Sequence, residues 1–269
     1  METLYVIIST FNDRAENLIN VLLEPENKII YVISHQITKR LKKNTEYVIE
    51  KIKSRKDVIY SPISSTGLSN NRNNALKLIS NGIVLCSDDD VKFYKDTFKN
   101  VIRSFTKYPQ ADIITFKIKT PCGKDFKHYP DNFLKHNFKT IFRVGSVEIA
   151  FRVKKIKDAN LSFDEKFGVG SDKYQVGEEY IFLSDALKKR LNCYFLPIPI
   201  LIHPLISTGD SLEEKIIYSR GAVLARTYDK FSYFMDFLFA IKKYPNFKKK
   251  IGFGKYLKLM IKGSKSYLK

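Results

Sequence analysis

Ile83-Val84-Leu85-Cys86-Ser87-Asp88-Asp89-Asp90 runs four apolar residues straight into three adjacent carboxylates. A short, continuously apolar run reads as a strand buried on both faces, the kind found in parallel sheets covered by helices. Upstream, Leu4–Ser9, Ile29–Ser34 and Val58–Tyr60 give three more such strands, with helical patterns over Arg14–Leu23 and Leu68–Ser80. This order predicts an α/β fold with a mainly parallel sheet and helices on both faces, whose ligands bind beyond the carboxyl ends of the strands. The acidic triplet stands at one of those ends. Downstream, a helix is expected near Tyr94–Tyr108, then strands over Asp112–Lys119 and Ser146–Val153 flanking a loop-rich stretch. A helix over Glu178–Arg190, a strand over Cys193–Leu196 and helices over Leu212–Arg226 and Phe231–Lys243 follow. The only soft boundary lies near Asp229. It separates residues 1–228, made of a first half to about residue 110 and a second half from 111, from an extension over 229–269.

Of the 269 residues, 47 are Lys or Arg and 28 are Asp or Glu, a formal net charge of +19. With 44% hydrophobic and 13% aromatic residues the chain is equipped for a core, which excludes a disordered protein. Cys86, Cys122 and Cys193 form no CxxC pair, which argues against a disulfide framework or a structural zinc site and for a reducing cytoplasm. The N-terminus lacks the basic region and cleavage site of an export signal. The longest apolar stretch, residues 195–206, is broken by Pro197, Pro199 and Pro204 and falls short of the roughly 20 residues a membrane span needs.

Charge gathers at one end. From Ile241 to Lys269 there are ten lysines and no acid, interleaved with residues such as Phe253, Tyr256, Leu257 and Ile261. That pattern predicts a basic amphipathic segment on an anionic membrane surface, removable without unfolding the rest. The alternatives are a lysine-rich end packed on its own domain, or nucleic-acid binding on charge alone.

Three adjacent carboxylates repel one another unless a cation compensates, and their hard oxygens suit Mg²⁺ or Mn²⁺ completed by substrate phosphate. An acidic turn or helix cap is the alternative. On the helix from Leu68, the apolar face formed by Leu68, Ala75, Leu76 and Ile79 has Arg72 in its middle, so its guanidinium needs an anion: a nucleotide, or one of the aspartates. On the later helix, Glu179 projects at the centre of the face formed by Phe182, Leu183, Ala186 and Leu187, with Glu178 over a quarter turn away. A partly desolvated carboxylate there suits a general base; capping the helix N-terminus is the alternative. His203, between prolines, reads as a metal or phosphate contact or as a structural histidine.

In these residues the chain resembles the family 2 glycosyltransferases, inverting enzymes of the GT-A fold that move a sugar from a nucleotide donor to an acceptor hydroxyl. Val6 to Arg14 is similar to the family's opening strand and its Thr-Tyr-Asn-Arg turn, which implies that Thr10, Phe11, Asn12 and Arg14 lie against the nucleotide. Gly67-Leu68-Ser69-Asn70-Asn71-Arg72-Asn73 resembles the Gly-Leu-Ser-x-x-Arg-Asn helix start, whose Arg contacts the nucleotide. Ser87-Asp88-Asp89-Asp90 sits at the DXD position, which implies that Asp90 binds metal and that Asp88 and Asp89 serve the ribose and metal shell. Phe163-Asp164-Glu165-Lys166-Phe167-Gly168 followed by Gly177-Glu178-Glu179 resembles the acceptor-side elements, which makes Glu179 the catalytic base. His203 with Ser207 falls where members carry a late His and Ser near the diphosphate. Where the family has Asp-Asp-Gly-Ser, this chain has Ile33-Ser34-His35-Gln36, leaving Gln36 or His35 to meet the base.

The resemblance implies a GT-A fold, a nucleotide-sugar donor (a UDP-sugar foremost), Mn²⁺ or Mg²⁺, and a saccharide or lipid-linked saccharide acceptor, as in bacterial surface polysaccharide assembly. Nucleic acid is not an expected partner. A sugar-nucleotide pyrophosphorylase is disfavoured because residues 9–13 lack the Gly-rich loop that such enzymes use.

Overall fold

In a computed structural model, residues 2–204, 213–248 and 250–269 are described, without the side chains of residues 246 and 247. Strands β1 (Leu4–Phe11), β2 (Ile29–Gln36), β3 (Val58–Ile63) and β4 (Ile83–Asp88) run parallel in the order β3-β2-β1-β4. The unbroken apolar runs explain the placement: Val6, Ile8, Val32, Ile33, Val84 and Leu85 have no solvent exposure.

Beyond β4 the sheet changes character. Strand β8 (Ile149–Arg152) lies antiparallel between β4 and β6 (Ile113–Lys119). Next comes β9 (Cys193–Ile202), parallel to β6, with β5 (Lys92–Phe93) and β7 (Leu134–Lys135) antiparallel to β9. The sheet is therefore mixed: parallel through its first four strands and again between β6 and β9, antiparallel elsewhere. Strand β9 runs on past Leu196, where the sequence reading stopped it, because the pairing with β6 shifts register between Thr115 and Ile118, opposite the prolines. Such an irregularity accommodates residues with no N–H to give to the ladder.

Helices α2 (Lys43–Lys53), α3 (Leu68–Lys77), α4 (Thr97–Lys107), α5 (Val153–Asp158) and α6 (Glu178–Lys188) follow α1 (Leu18–Val21). Helix α4 inserts Phe98, Val101, Ile102 and Phe105 into the core, each worth roughly 1.5–3 kcal/mol of burial. Helix α2, absent from the sequence reading, buries Thr45, Val48, Ile49 and Ile52 at helical spacing. The helix expected over Arg14–Leu23 is instead a 3₁₀ turn over Asn12–Asn17 running into α1. Asn12 takes a left-handed φ of 46°, which turns the chain sharply off β1.

The described residues form two compact units. The first comprises residues 2–66, 70–162 and 182–204 and contains the whole sheet. The second comprises residues 67–69, 163–181 and 213–269, with helices α7 (Glu214–Tyr228), α8 (Ser232–Phe247) and α9 (Phe253–Leu268). Asp229 thus falls inside the second unit.

Helix α9 is not a loose end. It buries Tyr256, Met260, Gly263 and Ser264. A methyl group on Gly221 of α7 would overlap the carbonyl of Met260, and one on Gly263 would overlap the carbonyl of Tyr218, so the two backbones meet at glycines. Truncation from Lys242, which the reading of 229–269 as a removable appendage allows, would strip α7 of this partner. At the same junction Ser264 Oγ lies 2.9 Å from Gly221 O and 2.6 Å from Asp236 Oδ2, all three residues being buried. One hydroxyl proton cannot serve both acceptors; given to the carbonyl, it requires Asp236 to carry a proton of its own. Burial pushes the Asp236 carboxyl up to about 7, the bond from Ser264 opposing.

Candidate active site

The carboxyl ends of β1, β2 and β4 carry Thr10 and Phe11, Gln36, and Asp88, brought level by a register that pairs Phe11 with Gln36 and Ser9 with Asp88. Thr10 Oγ1 donates to Asp89 at 2.6 Å, and Arg14 Nε lies 3.0 and 3.1 Å from the two Asp89 oxygens. Arg14 Nη2 also bonds Asp89 and reaches Asp90 Oδ2 at 3.1 Å. The two carboxylates hold the Arg14 proton more firmly than usual, Asp89 contributing most. Asp89 is thereby consumed inside the protein, while Asp90 and Asp88 keep 36% and 25% of their side chains exposed.

Arg72 is fully buried with Nη2 3.1 Å from Asp88 Oδ1. The ion pair with an aspartate, one of the two readings open for it, is present. Asp88 itself is pushed above the usual carboxylate range by burial; Arg72 opposes the shift and Asp90 and Asp89 add to it. Its neighbour Asn71 donates to Thr10 O at 3.1 Å, and its buried Oδ1 has no hydrogen-bond partner among the described residues.

His203 Nδ1 lies 2.6 Å from the carbonyl oxygen of Pro204, an acceptor only, so Nδ1 carries the hydrogen. Its Nε2 then faces Asp90 Oδ1 at 3.6 Å. In the neutral ring, Nε2 and Asp90 Oδ1 are two electron-rich atoms so placed that they fit a shared cation. Among the described residues no three His, Cys, Asp or Glu side chains gather into a metal site. The described residues thus hold no preformed three-ligand site: a hard divalent ion would rely on Asp90 and His203 with phosphate and water, and Asp88, paired with Arg72, would have to turn toward it. Ser207, paired with His203 in the sequence reading, lies outside the described residues.

Sequence reasoning missed the role of His35. Fully buried, it donates from Nε2 to Asn12 O at 2.8 Å and accepts the Tyr60 hydroxyl at Nδ1, 2.7 Å away. Burial holds its pKa down, which matches this neutral tautomer. Asn12, further tied to Thr38 N at 2.9 Å, is thus fixed in its left-handed turn. His35 is structural, which leaves Gln36, buried at the end of β2, as the side chain of that segment nearest the role. Phe11 stands 41% exposed beside it in the register, a free aromatic face.

In the second unit, two stretches of the sequence reading come together. Leu68 N donates to Val169 O at 2.8 Å and Ser69 Oγ to Phe167 O at 2.7 Å. A Cβ on Gly168, whose φ is 106°, would stand 3.2 Å from the Glu178 carboxylate and 3.3 Å from Ser69 Oγ. Glu178 is the buried one, 5% exposed, and Glu179 is half-buried. This reverses the helical projection, because the first turn of α6 is covered by the 67–69 and 167–168 segments rather than by the face that its later turns bury. Asp164 accepts from Arg226 Nε at 2.8 Å.

The sequence profile of Glycosyl transferase family 2 matches residues 5–164, more than half of the chain. The chain belongs to that family. The family match covers the Thr10 turn, α3 and the acidic triplet, and ends before Glu178, Glu179 and His203. A search of curated proteins returned no match. Among solved structures the chain is similar to S. aureus TarS 1-349 in complex with UDP-GlcNAc, at 16% identity and a TM-score of 0.67, covering 97% of this chain and 81% of that one. It is similar also to the mannosyltransferase PcManGT from Pyrobaculum calidifontis in complex with GDP-Man and Mn²⁺, at 15% identity and a TM-score of 0.54, covering 98% and 74%. Against a longer S. aureus TarS chain the identity is 18% and the TM-score 0.60; the match takes in 91% of this chain but spans only 43% of that one. These likenesses concern the fold: a family 2 chain with a GT-A-like mixed sheet flanked by helices and a helical C-terminal region.

Proposed function

We propose that this protein is an inverting glycosyltransferase of the hexosyl type that moves a sugar from a UDP-sugar to an acceptor hydroxyl during assembly of bacterial surface polysaccharide or a lipid-linked oligosaccharide. The observation that carries the reading is the Thr10–Arg14 turn bound to the Asp88–Asp90 triplet at the ends of β1 and β4, inside the stretch the family profile matches. That TarS 1-349 forms a complex with UDP-GlcNAc supports a UDP-sugar donor.

Asp90, His203 and Asp88 would hold Mn²⁺ or Mg²⁺, which when bound neutralises charge developing on the leaving diphosphate. The Mn²⁺ held with GDP-Man by PcManGT supports this. Arg72 fixes the orientation of Asp88, and Arg14 with Thr10 fixes Asp89 so that the turn keeps its shape for the nucleotide. Phe11 offers its ring and Gln36 its amide to the base. Glu179 takes the proton from the acceptor hydroxyl as that oxygen attacks the anomeric carbon, and a single displacement inverts the configuration. Among the described residues no helix is long and apolar enough to cross a membrane; contact with the cytoplasmic face of an anionic membrane is the proposed setting.

The test is turnover of a panel of UDP- and GDP-sugars with Mn²⁺, Mg²⁺ or EDTA, read as nucleotide release with short saccharide acceptors. Metal-dependent release from one UDP-sugar is the expected result. No turnover of any sugar nucleotide, with salt-sensitive binding to oligonucleotides, would overturn the reading in favour of a nucleic-acid-binding protein.

A further inference from the structure

We infer that the outward face of α8 is the surface by which the protein lies on an anionic lipid bilayer. This rests on the membrane setting of the proposed function and moves the contact from the lysine-rich end to one named helix face. The helix is built inside out. Ser232, Asp236 and Ala240 are fully buried, while Tyr233, Phe234, Phe237, Leu238, Ile241 and Tyr244 are between 37% and 52% exposed. At about 100° per residue these six residues fill one continuous sector of about 140°. Phe231, 59% exposed, packs its ring at a tilt against Phe234, 5.3 Å between centroids, and the ring of Phe253 meets Phe237 and Tyr244 at 6.3 and 5.4 Å. Scattered apolar residues on a surface need no explanation, but a contiguous aromatic and aliphatic ridge marks an interaction face.

Charge identifies the occupant. After Asp236, which is buried, the chain has ten lysines and no acidic residue. Lys242, Lys248, Lys250, Lys258, Lys262, Lys265 and Lys269 are exposed. A second copy of the chain docking through the same face would be related by a two-fold axis and would set lysines against lysines. An anionic bilayer satisfies both features: rings and aliphatic chains seat at the boundary of headgroups and acyl chains, and ammonium groups meet the lipid phosphates. A ridge that needs no refolding to be displayed suits such reversible, in-plane contact.

The experiment uses the intact protein with vesicles of phosphatidylcholine alone and of phosphatidylcholine with phosphatidylglycerol, read by co-sedimentation, beside the triple variant Phe234→Ser, Phe237→Ser, Ile241→Ser. Strong binding to the anionic vesicles only, cut at least about tenfold in the variant with its thermal melt and nucleotide release unchanged, is expected. Failure of the intact protein to bind anionic vesicles overturns the inference, as does equal binding by the variant. A dimer in light scattering that the variant converts to monomer overturns it in favour of a second copy. Nucleotide release is scored separately, so loss of vesicle binding leaves the glycosyltransferase reading to its own test.

Discussion

Arg14 holds both carboxylate oxygens of Asp89 while its Nη2 reaches on to Asp90. The three aspartates are therefore not equivalent. Asp89 is a strut, and Asp90, the more exposed of the two and facing His203, is the carboxylate proposed to take the metal. Asp90→Ala is expected to abolish metal-dependent nucleotide release with the melt unchanged. Asp89→Asn, which leaves Arg14 without its charged partner, is expected to lower stability by about 1–3 kcal/mol. Calorimetry and a Mn²⁺ titration of both variants check this; equal thermal stability of the two would contradict the division.

The two glutamates opening α6 also separate. Glu179→Gln keeps shape and removes basicity, and should lower kcat at least about 10²-fold with donor affinity little changed. Glu178→Gln, at the carboxylate that crowds Gly168, should lower the melting temperature and act more mildly on kcat. Steady-state kinetics with a melt for each decides it. A larger kcat loss at Glu178 would assign the base to the buried residue.

Asp236 gives a pH signature. Unfolded, an Asp titrates near 3.9; folded, this one titrates at about 7. Between those values the folded state keeps a proton that the unfolded state has released. Its contribution to stability is therefore complete below about pH 4, falls as pH rises and is gone above about pH 7. In Asp236→Asn the amide donates to Ser264 at every pH. The variant should match the parent near pH 4 and exceed it at pH 8 by about 1–3 kcal/mol, measured by denaturant unfolding at both values. A constant difference across pH would show that the carboxyl is ionised throughout.

Two glycines on α9 should respond in opposite directions. Gly263→Ala places a methyl against the Tyr218 carbonyl and should cost about 1–3 kcal/mol. A Cβ on Gly254 meets nothing within 4 Å, so Gly254→Ala should be neutral or stabilise by up to about 1 kcal/mol. Thermal melts check the pair; identical shifts would mean that α9 does not pack closely on α7.

The first four strands and the acidic triplet were legible because an apolar run of that length has one stable destination. Arg72 was legible for the same reason, since a guanidinium in an apolar stripe must find an anion. His35 was not, because its role depends on a left-handed turn at Asn12 and on Tyr60, 25 residues away. The burial of Glu178 over Glu179 was hidden because projection assumes that one face of a helix is covered along its whole length. The outward ridge of α8 escaped because hydrophobic periodicity reveals that a face is apolar, not which way it points.

The antiparallel placement of β8 sets the order in which the sheet can be assembled. Residues up to Asp88 supply β1 to β4, but among the described residues the far edge of β4 pairs with β8, through Ala150, Phe151 and Arg152. On a ribosome adding about 5–20 residues per second, that edge stays unpaired for roughly 3–12 s, and β9 arrives later still. A nascent chain with an open, apolar central strand is a template for mispairing. Chaperone demand during synthesis should peak in that interval and subside once Arg152 has emerged.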